Sequence, residues 1–220
     1  MARKKLMRYE SNSIDSLIIQ PGKDDFESIK QNRSTFFGNQ NPLVLELACG
    51  KGEYTTTLAK HHPEYNFIGV DLKGNRLRYG AQDAKAMKLT NVAFLRMIIQ
   101  NIHEFFPPNS IQEIRIIHPD PRPRNADARR RLTHPRFLSM YQKLLKPEWM
   151  VRLKTDDKDL FDFSVEMFAQ EGRKLVDVTY DLDASPLLAE HYGITTHYED
   201  LFKKRGRKIC YGKWLAPKLS

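Results

Sequence analysis

Asp120 stands between Pro119 and Pro121 just past an apolar run at 113–117, and six arginines follow it: 122, 124, 129, 130, 131 and 136. From Arg122 to Arg136 the one acid among them is Asp127. Proline on both sides restricts the backbone and disfavours helix, so the carboxylate is presented at a defined place. That suits a group transfer in which two reactants must be aligned, an effect worth about 7 to 11 kcal/mol. The arginines offer a surface to a polyanion. If four of them neutralised phosphates, binding would fall with salt at a log-log slope of about 3 to 4. A charge run alone is usually a solvated face, but this one begins two residues past a rigid acid, which favours a nucleic acid delivered to it.

A second constellation lies upstream. Residues 43–52 read Leu-Val-Leu-Glu-Leu-Ala-Cys-Gly-Lys-Gly, a buried strand running into a tight turn and then a helix. Gly50 and Gly52 let the backbone bend sharply and approach a ligand. A second strand ends in Asp71, about twenty residues on, where a carboxylate can accept from ribose hydroxyls. In open α/β sheets ligands bind beyond the carboxyl ends of such strands. A dinucleotide fingerprint would carry a third glycine where this chain has Thr55, and Glu46 would repel phosphates. Glu46 suits an ammonium group instead, so S-adenosylmethionine fits better than NAD. The plainer alternative, a loop merely shaped by glycines with Glu46 as a surface acid, does not account for strand, turn, helix, strand and acid in this order.

These groups need elements to hold them. Short apolar runs at 43–47, 66–70, 92–98, 113–117 and 149–153 read as strands. Between and after them, Leu77, Ala81, Ala84 and Met87, then Phe137, Leu138, Tyr141, Leu144 and Leu145, then Leu160, Phe161, Ser164, Met167 and Phe168 repeat at helical spacing. The alternation predicts a parallel sheet covered on both faces, and 208–214 reads as a reversed final strand after 175–180. Residues 1–41 read as a basic and polar extension and 42–220 as a single domain with one core. No stretch reaches the 18 or so apolar residues of a membrane helix, so a cytoplasmic protein with no membrane partner is expected. Cys49 and Cys210 are far apart and form no metal-ligand spacing; neither a disulfide nor a metal site is expected. With 36 basic and 27 acidic side chains the chain carries +9, in keeping with a polyanionic partner.

Rival chemistries are weaker. Enzymes that methylate exocyclic amines place an aromatic ring after Asp/Asn-Pro-Pro, and here Arg122 and Pro123 occupy the last two places. Cytosine-C5 chemistry needs a thiolate, yet Cys49 lies in the cofactor turn and reads as a packing residue. His118 and His134 read as structural. Thr155-Asp156 could be a helix cap, and Tyr198 and Phe202 could be core contacts of a terminal helix.

Beside these readings, the chain resembles the bacterial tRNA (guanine-N7)-methyltransferase family from about residue 43 to 214. The specific parts are Pro119-Asp120-Pro121 with the arginines, the run from Arg131 to Leu138, Leu153-Lys154-Thr155-Asp156, and Thr196-His197-Tyr198-Glu199. The resemblance implies an α/β, Rossmann-like class I fold with a mostly parallel seven-stranded sheet, a reversed last strand and helices on both faces. It implies that Glu46, Gly50, Gly52 and Asp71 hold S-adenosylmethionine, and that Asp120 is the catalytic acid where cofactor and guanine meet. Arg124, Asp156, Thr196, His197, Tyr198 and Glu199 would contact a tRNA whose target guanine lies in the variable region. Members occur as monomers and as homodimers. Three residues depart from the pattern around the two motifs: Ala48 where a glycine is common, Arg122 where a tryptophan is frequent, and Arg124 where lysine is expected. At the third strand end Gln100 replaces an acid that reads the adenine, a contact an amide can supply. Two other readings remain open, a tRNA-binding protein of this fold without turnover and a methyltransferase acting on another RNA.

Overall fold

Apolar runs without alternation form strands buried on both faces, and the first half of the chain is built from four of them. The computed structural model describes residues 12, 14–31 and 36–215. Strands β1 (Ile18–Ile19), β2 (Leu43–Leu47), β3 (Asn66–Asp71) and β4 (Val92–Arg96) lie in the order β1-β4-β3-β2, with parallel pairing. Helices α1 (Asp24–Gln31), α2 (Glu53–His61) and α3 (Gly74–Ala86) accompany them. The buried stripe of α3 is Leu77, Gly80, Ala81 and Ala84. Its residues are small because the Phe94 ring of β4 occupies the space: a Cβ on Gly80 or Gly52 would collide with it. Strand β1 adds to the seven strands read from the sequence. It lies in the polar N-terminal stretch, where two isoleucines are too few to show a period, yet both are fully buried against Phe94 and Leu95.

The second half contains β5 (Ile111–Ile117), α4 (Pro135–Leu144), β6 (Leu145–Thr155), α5 (Lys158–Gln170), β7 (Lys174–Thr179), α6 (His197–Lys204) and β8 (Cys210–Leu215). The strand order is β5-β6-β8-β7; β5 and β6 are parallel, and β8 runs antiparallel to both β6 and β7. The final strand is therefore reversed, as its position in the sequence suggested. The chain divides into two compact units, Met1–Pro107 and Pro108–Ser220.

The two faces of the second half differ in chemistry. On one, Ile114, Ile116, Val151, Leu153 and Trp214 are buried, and Trp214 stacks on Phe168 of α5 with ring centroids 4.2 Å apart. The alternate positions carry Glu113, Arg115, Arg152, Lys154, Tyr211 and Lys213. The segment 182–204 docks on these through charge: Glu190 accepts from Arg152 and Lys213, each at 2.6 Å, and Glu199 lies 2.7 Å from Lys154. The sheet is thus covered on this face too, by ion pairs together with a small apolar cluster of Leu182, Leu187, Ile209 and Tyr211. Among the described residues no helix is long and apolar enough to cross a membrane.

Candidate active site

In the first half the turn after β2 bends through three left-handed residues, Ala48 (φ 59°), Gly50 (φ 59°) and Gly52 (φ 76°). Ala48 takes a conformation that glycine adopts freely, at a cost of about 1 kcal/mol or more. Glu46 is buried at the end of β2 and accepts a hydrogen bond from the hydroxyl of Thr55, the residue standing where a dinucleotide loop has glycine. Asp71 at the end of β3 accepts from the Gly50 N–H at 3.0 Å and from the Lys73 N–H at 2.8 Å. Each carboxylate oxygen keeps lone-pair capacity for hydroxyls. Beyond the strand ends Leu72 and Ile98 are large apolar side chains with 57% and 51% of their surface exposed. Gln100 is exposed in the 3-10 turn Ile99–Glu104. Two buried acids, a glycine turn and an apolar rim match a nucleoside bearing an amino-acid tail. Burial, with Glu46 and Asp71 nearby, pushes the Cys49 thiol well above its ordinary value, so it supplies no thiolate.

In the second half, β5 delivers the chain into a turn with positive φ at His118 (45°) and Arg122 (50°) on either side of Asp120. Asp120 has 61% of its side chain exposed. Its carboxylate accepts from the Arg122 N–H and lies beside the Arg122 guanidinium, both at 3.2 Å. The acid is thereby oriented from its own turn while still open to a ligand.

Beneath this turn runs a chain of charges that the sequence did not disclose. Nδ1 of His118 is 3.3 Å from Asp156 and its Nε2 is 3.5 Å from Glu199. Glu199 is 1% exposed and its Oε2 meets the fully buried Lys154 ammonium at 2.7 Å, while Oε1 lies 3.2 Å from Lys203. Asp156 meets Arg207 at 2.7 Å through its other oxygen. Burial would raise Glu199, but the hydrogen bond from His118 and the Lys154 charge outweigh it and hold the carboxyl at about 2. Burial would lower His118, yet its hydrogen bonds to Asp156 and Glu199 raise it. A lysine inside a buried strand was the one available signal, since such a charge requires an acid.

The remaining expected residues sort clearly. Thr196 caps α6, its hydroxyl accepting from the Glu199 N–H at 3.2 Å. The cap of α5 is Asp157, which accepts from Leu160 at 2.8 Å, not Thr155-Asp156; Asp156 is left to His118 and Arg207. Tyr198 is 44% exposed and its ring lies parallel to Phe202, so it is not a core contact. His197 opens α6. Arg124 and Arg130 are exposed on either side of Asp127, at 2.5 and 3.2 Å. Arg131 is the exception in the arginine run: it is buried. His134 caps α4 by accepting from the Arg136 N–H.

Comparison with known proteins adds an independent finding. The "Putative methyltransferase" family matches residues 40–211. A tRNA (guanine-N(7)-)-methyltransferase of Cytophaga hutchinsonii is 44% identical over 216 residues, covering 97% of this chain and 98% of the relative. One of the same description from Christiangramia forsetii is 37% identical, covering 96% of each. Among solved structures a 16S rRNA methyltransferase shares 16% identity at a TM-score of 0.61, covering 88% of this chain and 93% of that one. At that identity the likeness concerns the fold alone.

Proposed function

We propose that this chain, which belongs to the tRNA (guanine-N7)-methyltransferase family, transfers a methyl group from S-adenosylmethionine to N7 of a guanine in the variable region of tRNA, in the cytoplasm. Glu46 takes the ammonium of the donor's amino-acid tail, Asp71 its ribose hydroxyls, and Gly50 and Gly52 admit its close approach. Gln100 reads the adenine edge beside the Leu72 and Ile98 rim. When bound, S-adenosylmethionine supplies the electrophilic methyl.

Guanine N7 carries an in-plane lone pair, so no proton has to leave before attack and no strong base is required. The product guanine is positively charged. A carboxylate aligned beforehand stabilises that charge as it develops, without reorganisation. Asp120 has this role, and also orients the base through its N–H edge. Asp156 and Glu199 complete the guanine site, both kept anionic by His118 and neighbouring cations. Tyr198 offers a ring face for stacking, and Arg124 with the exposed arginines takes phosphates.

The observation that carries the reading is Asp120 itself: an exposed carboxylate oriented by its own turn, beside a run of arginines. Unmodified tRNA is incubated with the protein and methyl-labelled S-adenosylmethionine, digested, and the nucleosides separated. Label is expected in 7-methylguanosine with the native chain and absent with Asp120→Ala. Label elsewhere, no label with the native chain, or undiminished turnover in the variant would refute the proposal.

A further inference from the structure

We infer that Arg131 is a positioning residue that sets the Asp120 turn and takes no part in binding RNA phosphates; the inference rests on Asp120 being the acid of the reaction. Arg131 is only 8% exposed. Its Nε and Nη2 both donate to the backbone carbonyl of Arg122, at 3.3 and 3.1 Å. The guanidinium carbon lies over the Phe163 ring, 4.4 Å from its centroid. Arg122 is the left-handed residue whose N–H orients Asp120. One connected path therefore runs from Phe163 on α5 through Arg131 to the Arg122 carbonyl, then through the Arg122 N–H to the Asp120 carboxylate.

A phosphate-binding arginine must reach solvent, whereas this one is buried, with Nε–H and Nη2–H directed at a carbonyl and its guanidinium over an aromatic ring. The paired donation suits the fixed fork of a guanidinium and not an ammonium, which can sit over a ring but cannot hold one carbonyl through two fixed N–H groups. The left-handed backbone at Arg122 is a conformation that a non-glycine residue adopts only under constraint, and the Arg131 side chain holds its carbonyl.

Lysine separates the two roles, because Arg131→Lys keeps the charge and loses the fork. Steady-state methylation of tRNA is measured for Arg131→Lys, Arg130→Ala and Asp120→Ala, together with tRNA binding across a salt series and a melting curve for each. A misplacement of about 1 Å can lower turnover about 100-fold. Arg131→Lys is expected to lower kcat by about 10- to 100-fold while KM for tRNA and the salt slope stay at native values. Arg130→Ala is expected to weaken tRNA binding and lower the slope by about 1. Native kcat in a folded Arg131→Lys, or a loss confined to tRNA affinity, overturns the inference while leaving Asp120 in place if Asp120→Ala is inactive. An active Asp120→Ala overturns both. Should Arg131→Lys fail to fold, Phe163→Leu removes the ring beneath the guanidinium and keeps the arginine. It is expected to reduce kcat severalfold at native KM, and unchanged kcat overturns the inference.

Discussion

Replacing Glu199 by glutamine should destabilise the second half of the molecule by about 3 kcal/mol, and two separate lines of reasoning give that size. The carboxyl is held at about 2 rather than its ordinary 4.5, and a drop of that extent corresponds to about 3 kcal/mol favouring the folded state. Glu199 is 1% exposed and Lys154 fully buried, and breaking such a pair by removing one partner costs about 3 to 5 kcal/mol. In a chain of this size the loss translates to about 6 to 12 °C in melting temperature. The sign with pH follows from the depressed value. The contribution is complete above about pH 4.5 and disappears as the carboxyl is protonated toward pH 2. Calorimetric melts of native and Glu199→Gln protein from pH 3 to 8 should therefore show a gap that is widest between about pH 5 and 6.5, narrows below pH 5 as Glu199 is protonated, and declines above pH 6.5 as its partner His118 loses its proton. A double variant, Lys154→Met with Glu199→Leu, should recover much of the loss, since apolar residues of similar volume often equal a buried ion pair. A gap under about 0.5 kcal/mol at pH 6, or one that widens below pH 5, would refute the account of this pair.

Three further outcomes follow from the geometry. His118 is raised by its two carboxylate partners despite burial, so its stabilising contribution is complete below pH 6.5 and fades as pH rises through the higher folded value. The stability difference between native protein and His118→Gln should accordingly shrink from pH 6 to 9 in thermal melts; a pH-independent difference contradicts it. Asp71→Ala removes the acceptor of the Gly50 N–H, and S-adenosylmethionine affinity by calorimetry should fall about 10- to 100-fold, the size of a lost charge-assisted hydrogen bond, whereas unchanged affinity would remove Asp71 from the donor site. Gly80→Ala should destabilise by about 1 to 3 kcal/mol in urea unfolding, because its Cβ meets the Phe94 ring and the Lys51 carbonyl. That clash outweighs the roughly 1 kcal/mol that alanine gains in helix propensity; a stabilised variant would mean the helix can move away.

The strand-turn-strand arrangement of the first half was legible because its signals are local. A continuous apolar strand, a glycine turn and an acid ending the next strand lie within thirty residues or so, and each reports on backbone shape at its own position. Asp120 was legible for the same reason, flanked by prolines that constrain it directly. Two features escaped. Strand β1 has two residues and owes its place to pairing with β4, more than seventy positions away in the chain. Arg131 looks like its neighbours in a run of arginines. What distinguishes it is a carbonyl nine residues upstream and a ring on another helix, neither of which affects composition or periodicity.

The charged face of the second half explains a further limit, and why the acids there behave as they do. On β6 the alternation of Val151, Leu153 against Arg152, Lys154 is the pattern of a strand with one solvated face, yet 182–204 covers that face. Sequence pattern reports polarity, and solvent exposure is inferred from it; here polar groups are satisfied by partners from a segment whose own helices are short. The arrangement has a chemical consequence. The guanine-binding role proposed for these acids needs them ionised, but a buried carboxylate alone would be driven neutral by desolvation. Lys154 and His118 reverse that for Glu199, and His118 with Arg207 does so for Asp156. Docking 182–204 by charge therefore stabilises the segment and sets the ionisation of the acids with one set of contacts, so that Lys154→Met alone should both lower the melting temperature and raise the pH at which Glu199 is protonated.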